Sequence, residues 1–391
     1  MYKSFRLVSP ATNTFVVIAS IVVAIFALTK LKWEFKPENT YQKIAVGVFF
    51  LYELVTVLRG LPKGYTETKT LLTVDYLFWV YFIPLFIFFD KRLITLAYLM
   101  KATYFLAIFF LLMCVVRPSL ILERLTAEPF IHPFVFACGF LLLNARYLPK
   151  IRKRVAAAAM IIGLCSFIYL ARRNGVVSYG CLIMAAIALN AKFLSASKLF
   201  RIIPIGLCVV AMGLLSTDSL PASFTRRLNE RITEDSRSGI FDYFFRDMEK
   251  GNQIFGKGMQ GEFYYPHGGH VDENDNLTEF TLFRKLIENG YLQLYLNGGI
   301  VYIVLFLLVL LPAAILGIFK SSNQLTQAAG VIVLLWLLDM VIYGMPRLTF
   351  EYVLVWICAG ICYKKSLRET PDEEIADFFD NFNNDESTLV Y

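Results

Sequence analysis

The sequence predicts an all-α fold: a polytopic transmembrane helical bundle of about eleven spans with one long polar loop. Three observations predict it. The 391 residues are 57% hydrophobic with a mean hydropathy of +0.57, more apolar and less charged than ordinary soluble domains. Apolar runs of roughly 17–25 residues recur, each long enough to cross a bilayer as a helix. The alternating period-2 segments of a membrane β-barrel are absent.

Taken in order, the runs at 12–31, 42–58, 71–89, 93–116, 131–146, 155–171, 174–194, 199–215, 291–318, 325–343 and 350–363 read as spans. The first lacks a small-x-small cleavage signal and is expected to be retained. The last is short enough to be tilted or re-entrant. Orientation follows from the basic connections. Lys30, Lys32, Lys36 and Lys43, then Lys91 and Arg92, then Arg146 to Arg154 share one face. Lys192, Lys198 and Arg201, then Lys320, then Lys364, Lys365 and Arg368 fall on the same face, which is therefore cytoplasmic. The other face receives Arg117 to Phe130, the Arg172–Arg173 turn, residues 216–290 and Met345 to Phe350. This count puts the N-terminus, with Lys3 and Arg6, on the outer face, against the usual bias.

The organisation that results is a bundle over 1–215, a loop over 216–290, further spans over 291–363 and an acidic cytoplasmic tail over 364–391. The stretch RLNERITEDSRSGIFDYFFRDMEK places Ile232, Ile240, Phe241, Phe244 and Phe245 at helical spacing, predicting an amphipathic helix on the bundle or the membrane surface. The tail DEEIADFFDNFNNDES reads as disordered or loosely helical.

The net charge of +7 is what cytoplasmic lysines and arginines give a membrane protein, and it argues for no nucleic acid partner. All seven cysteines lie in apolar runs, as small buried hydrophobes, with no disulfide framework. His267 and His270 with Asp272 permit a metal reading, but a lone His-Gly-Gly-His is a weak ligand pattern, so no metal and no cofactor are expected. No nucleotide-binding loop is present.

Arg172 and Arg173 interrupt two apolar runs in LARRNGVVSYG. The bland reading is snorkelling to headgroups. Yet arginines are costly in a membrane unless they serve a polar cavity, and these lie on the face that normally carries fewer cations. Guanidinium is a matched partner for phosphate oxygens. Residues 216–290 add Arg226, Arg227, Arg231 and Arg237. The last follows Asp235 and Ser236, which are capping candidates at a helix start where the dipole favours anions. The competing reading for these four is a solvated face paired with Glu230, Glu234 and Asp235. Asp75, Lys101 and Asp339 are further candidates for a lined cavity, with an interfacial position the alternative for Glu53 and Asp339 and a structural ion pair between neighbouring spans the preferred reading of Lys101 and Asp75.

Four features now occur in order: the Arg-Arg-Asn-Gly turn opening a span, Ser236–Arg237 opening an outward helix, the glycine turn IFGKGMQGEF, and IENGYLQLYLNGGIVYIVLFLLVLL. This set resembles the O-antigen polymerase and O-antigen ligase superfamily, over residues of about 131–320. The resemblance implies a GT-C-like bundle with a periplasmic loop in the bacterial inner membrane. It implies metal-independent, inverting glycosyl transfer from an undecaprenyl-pyrophosphate-linked glycan. Arg172 or Arg173 with Arg237, and Arg231 nearby, would bind the pyrophosphate. The family also makes a polysaccharide chain-length regulator a candidate partner beside membrane lipid. Ligases carry a His-Asn pair where this chain has Glu288–Asn289, and Glu128–Pro129 is more like polymerases. The polymerase is therefore preferred. Glu288, His267 or His270 would take the acceptor's proton. Glu128, Asn289 and Tyr291 are substrate-binding candidates. Phe263, Tyr264, Tyr265 and Tyr291 are candidates to stack on sugars. The alternatives are a ligase to lipid A-core, a lipid-linked oligosaccharide transporter and a membrane anchor. Transporters of that kind usually show repeated halves and several charged spans, which this chain lacks. An anchor would need neither so many spans nor clustered arginines.

An epitope placed between Ser216 and Asn289 is expected to be reached by antibody from the non-cytosolic side of sealed vesicles. Labelling only after the cytosolic side is opened would reverse the orientation.

Overall fold

The computed structural model describes residues 39–62, 64–73, 77–170, 172–190, 236–248, 251–266, 269–271, 277–280, 282–287, 289–342 and 346–388. They are mostly helical. The long helices are α1 (Thr40–Arg59), α2 (Leu93–Val116), α3 (Arg124–Leu143), α4 (Lys150–Tyr169), α5 (Arg173–Asn190), α6 (Ser236–Met248), α7 (Gly290–Phe319), α8 (Gln324–Ile342), α9 (Phe350–Tyr363) and α10 (Asp372–Thr388). Four helical stretches, Thr40–Arg59, Leu93–Val116, Gly290–Phe319 and Gln324–Val341, are long and apolar enough to cross a membrane. The expected spans 12–31 and 199–215 lie outside the described residues. The expected span 71–89 is not one helix: Tyr65–Thr73, Leu77–Val80 and the 3-10 turn Ile83–Phe88 share it. Pro84 lies inside that turn, where its ring and missing N–H prevent a continuous α-helix.

Local chemistry sets several starts. Asn39 caps α1 by accepting from the Gln42 N–H at 2.9 Å, and Asn289 caps α7 by accepting from Leu292 at 3.0 Å. The α7–α8 hairpin is tight because Gly317 faces Gly330. A Cβ on Gly317 would sit 2.8 Å from the Gly330 Cα. The aromatic centre joins α1, α7, α8 and α9. Phe49 packs on Trp356 with ring centroids 5.4 Å apart, and Trp336 stacks on Tyr352 at 5.0 Å.

The bundle has two ends. At the tail end, α10 is a docked amphipathic helix, not the disordered or loosely helical tail its charge predicts. Ile375 and Phe379 are buried, and Phe379 stacks on Tyr147 at 5.4 Å. Asp372 accepts from the Gln324 N–H at 2.9 Å and also receives Arg146 and the Tyr147 hydroxyl. Acidic residues mark this tail as polar, but their spacing leaves an apolar stripe that finds the bundle.

At the loop end, α6 lies on the bundle as its spacing predicts. Phe244 and Met248 bury against Phe263, Ile287 and Leu296. Two short antiparallel ribbons accompany it: β1 (Phe263–Tyr264) with β4 (Phe283–Arg284), and β2 (Gly269–Val271) with β3 (Leu277–Phe280).

The glycine turn has a structural explanation. Helix α7 breaks at Gly299, where φ is +66° and ψ is −166°. Residues 253–258 fill the break backbone to backbone. Lys257 and Gly258 donate to the Leu296 and Asn297 carbonyls, both at 2.8 Å, and Ile300 donates to the Gln253 carbonyl at 2.9 Å. From α1, the Tyr52 hydroxyl donates to the Gly298 carbonyl at 2.6 Å, and Arg59 donates to Phe255 and Gly256 carbonyls at 2.5 and 2.7 Å. A Cβ on Gly256 would lie 2.5 Å from the backbone nitrogens of Gly298 and Gly299. Gly251 has an equally left-handed φ of +96° but meets nothing within 4 Å. Gly251→Ala is therefore expected to cost only the conformational penalty of about 1–2 kcal/mol. Gly256→Ala is expected to add a backbone clash and cost about 4–5 kcal/mol, the exceptional end for a single substitution. Thermal unfolding of both variants in detergent checks the order; equal midpoints would mean that the turn does not bear on α7.

Candidate functional site

The loop end also gathers three buried ionisable side chains from three helices. His132 of α3, Asp339 of α8 and Glu351 of α9 are 5%, 2% and 7% exposed. The His132 Nδ1 lies 3.0 Å from the Glu351 Oε2, and its Nε2 lies 3.7 Å from the Asp339 Oδ2. The imidazole thus lies between two carboxylates, hydrogen-bonded to Glu351 and in longer electrostatic contact with Asp339. The Ser178 hydroxyl of α5 donates to the other Asp339 oxygen and extends the string to a fourth helix.

Each position follows from local structure. Glu351 is the second residue of α9, where unpaired N–H groups and the helix dipole favour an anion. Asp339 lies in the last turn of α8. The His132 ring stacks on Phe136 with centroids 6.3 Å apart and touches Tyr179 and Phe167 at 5.8 and 6.5 Å. That aromatic sleeve holds the imidazole in one orientation, and in such surroundings charge–charge interactions are strong. The three residues offer one donor atom each within 4.8 Å of one another, a spacing a divalent cation would accept. Only the Nδ1–Glu351 contact is a hydrogen bond; the Nε2–Asp339 approach at 3.7 Å is a longer electrostatic contact. Ser178 is no activated nucleophile here, because its hydroxyl donates to a carboxylate and faces no ring nitrogen.

Arg172 stands beside this string. Its N–H donates to the Phe167 carbonyl at 2.9 Å, and its carbonyl accepts from Val176 at 3.2 Å. The turn from α4 into α5 is close-packed: a Cβ on Gly175 would overlap the Phe167 ring, whose other edge meets His132. The guanidinium-bearing residue and the buried trio are thus joined through one phenylalanine.

The other predicted residues are distributed as follows. Arg173 is the first residue of α5, Arg237 the second of α6, Glu128 lies in α3, and His270 lies on β2 opposite Glu279. Arg226, Arg227, Arg231, His267, Glu288 and Asp75 lie outside the described residues. Asn289 and Tyr291 are held by α8: the Asn289 amide donates to the Val341 carbonyl at 2.6 Å and the Tyr291 hydroxyl to the Leu337 carbonyl at 2.9 Å. Phe263 is fully buried against Phe244, so it is core and no sugar platform. Tyr264 remains exposed beside Phe283.

A second polar lane runs under the α7 break. Asn297 donates to the Tyr81 hydroxyl at 3.0 Å, Gln293 donates to Asn297 at 3.2 Å, and the Tyr302 hydroxyl meets Glu53 at 3.2 Å. Glu53 and Asp339 are 3% and 2% exposed, so both carboxylates lie inside the bundle.

Sequence reasoning singled out Asp339 but missed His132, Ser178 and Glu351. The available signal was a histidine inside an apolar run, IHPFVFACGF, and a glutamate opening another, FEYVLVWICAG. Ionisable residues in such runs are costly and mark function by default. Their convergence across 219 residues is a property of the fold alone.

No protein-family model matches the chain, and neither the curated proteins nor the solved structures include a match to it.

Ser178→Ala is expected to remove one bond to a buried carboxylate and lower stability by about 1.5–3 kcal/mol. In an Asp339→Asn background the same change is expected to cost less, because the charge is gone. A double-mutant cycle on thermal midpoints checks the coupling.

Proposed function

We propose that the chain is a polymerase of undecaprenyl-pyrophosphate-linked oligosaccharide repeat units, for O-antigen, capsule or exopolysaccharide, working on the periplasmic face of a bacterial inner membrane through about eleven spans. The observation that carries this reading is the placement of Arg172 at a close-packed turn, one phenylalanine from a buried His132–Asp339–Glu351 trio at the loop end. A phosphate-matched cation and proton-accepting groups are the two things that transfer from a glycosyl pyrophosphate needs.

The reaction moves one glycosyl chain. The hydroxyl oxygen at the non-reducing end of one lipid-linked unit bonds to the anomeric carbon of the growing chain. The bond from that carbon to the pyrophosphate oxygen breaks, and the pyrophosphate leaves with the electron pair. The hydroxyl proton passes to a base. Charge grows on the leaving group, and arginines held in a partly desolvated site offset it. Arg172, Arg173, Arg237 and Arg231 take that role in this reading. The ordered motifs favour it: the Arg-Arg turn, the Ser236–Arg237 helix start, the glycine turn and the YLQLYLNGG segment. A membrane-bound chain-length regulator is a fitting partner, and no metal or cofactor enters the step.

The test is the glycan banding pattern of a strain lacking the gene and complemented with variants. Arg172→Ala and Arg237→Ala are expected to cut polymer about 100–1,000-fold, leaving a single repeat unit. Arg172→Lys should rescue in part, since ammonium is a point charge and not a planar fork. Long glycan stranded on the lipid carrier would identify a ligase, and normal length and attachment in every variant would reject the enzyme reading.

A further inference from the structure

The trio at the loop end carries a donor set that belongs to metal chemistry. We infer that His132, Asp339 and Glu351 form a binding site for one divalent transition cation of the zinc type, which clamps α3, α8 and α9 together. The inference concerns the frame of the molecule and does not rest on the polymerase reading. With the ion in place, the acceptor's proton in that reading falls to Glu288, His267 or His270.

The donor types select the ion. Neutral imidazole is the commonest protein ligand of such metals, and two carboxylates carry the charge that a divalent cation brings. Zinc accepts nitrogen and oxygen donors in a four-coordinate shell. Calcium takes about six to eight oxygens and magnesium keeps several waters, so neither suits one imidazole and two carboxylates that are all buried.

The spacing fits as well. Donors bound at about 2.0–2.2 Å from one ion stand about 3.3–3.6 Å apart. The Nδ1–Oε2 and Nε2–Oδ2 separations of 3.0 and 3.7 Å lie on either side of that range. One donor atom from each residue lies within 4.8 Å of the other two. The gap to be closed is about an ångström at most, and rotation about the broad terminal torsions of the carboxylates closes it without moving a helix.

The donors are also held from outside. Ser178 donates to the Asp339 Oδ1 and leaves Oδ2 on the side of the ring. Phe136, Phe167 and Tyr179 pack around the imidazole. Supports of this kind orient metal-binding side chains and raise their affinity. Because each donor comes from a different helix, the free energy of binding the ion becomes free energy of holding the three helices together.

The test has a built-in control. The chain holds three histidines, so an imidazole can reach a metal only from His132 or from the His267 and His270 pair. The full chain, carrying a tag free of histidine, is purified in detergent, stripped with a chelator and reloaded with Zn2+ alone. Metal is counted by mass spectrometry. The wild type is expected to hold about one zinc per chain. His132→Gln, Asp339→Asn and Glu351→Gln are each expected to weaken zinc binding by about 100-fold or more, and the double variant H267Q/H270Q to keep it. Co2+ in place of Zn2+ is expected to give the visible bands of a four-coordinate ion, lost in His132→Gln. Zinc is expected to raise the thermal midpoint of the stripped wild type by about 5 °C or more, and that of Glu351→Gln by far less.

Zinc well below one ion per chain in the reloaded wild type would overturn the site. Undiminished zinc in all three trio variants would do the same, since the metal would then sit elsewhere. So would zinc that is lost from H267Q/H270Q and kept by the trio variants. Should the trio variants not be recovered folded, a wild-type midpoint indifferent to zinc and chelator would overturn it instead. Glycan banding decides the polymerase reading separately: a chain that holds zinc through the trio and lengthens no glycan upholds the site and removes that reading.

Discussion

Backbone polar groups freed inside an apolar bundle must be given partners, and the break in α7 is where this chain meets that demand most visibly. A helix that stops at Gly299 exposes carbonyls and N–H groups on both sides of the gap. The glycine turn answers them from one side and Tyr52 of α1 from the other, while Arg59 of α1 holds the turn's own Phe255 and Gly256 carbonyls. Only glycine lets the two backbones come so close. Lys257, anchored to Asp247 of α6, then fixes the surface helix over the same spot. The loop end is therefore built outward from one satisfied discontinuity.

Charge at the loop end obeys a parallel rule. Two carboxylates inside the bundle are tolerated because an imidazole lies between them, a serine donates to one, and the other sits at a helix N-terminus. The partners come from α3, α5, α8 and α9, so the string also binds these helices in register. The polar lane from Gln293 to Glu53 does the same for α1 and α7 lower in the bundle. A protein could join helices with leucines alone at lower cost.

The helical class was legible because apolar runs of span length need only composition to be seen. The helix over Ser236–Met248 was legible because Ile240, Phe241 and Phe244 recur at helical spacing. The residues 71–89 were misjudged as one helix because hydropathy is blind to Pro84 and to the turns on either side. The tail was misjudged for the opposite reason: its acidic character masked Ile375 and Phe379, whose spacing buries them. Phe263 looked like a sugar platform because an aromatic in a loop gives no sign of what lies over it. His132, Ser178 and Glu351 are spread over most of the chain, and each alone resembles ordinary helix content. Only helix packing shows that they meet.

The clamp between the glycine turn and α7 divides the loop into two kinds of sequence. From Gln253 to Met259 each residue is held by α1 or α7: Gln253, Ile254, Lys257 and Gly258 by the α7 backbone, Met259 by Thr56, and Phe255 and Gly256 by the Arg59 side chain. A residue gained or lost there would shift the whole ladder. Beyond Met259 the described residues meet α7 through the Gln293 side chain, which accepts from the Ile287 N–H at 3.0 Å and donates to the Lys285 carbonyl at 3.2 Å. Length variation among descendants of this chain should therefore be rarest between Gln253 and Met259, where backbone keys into backbone.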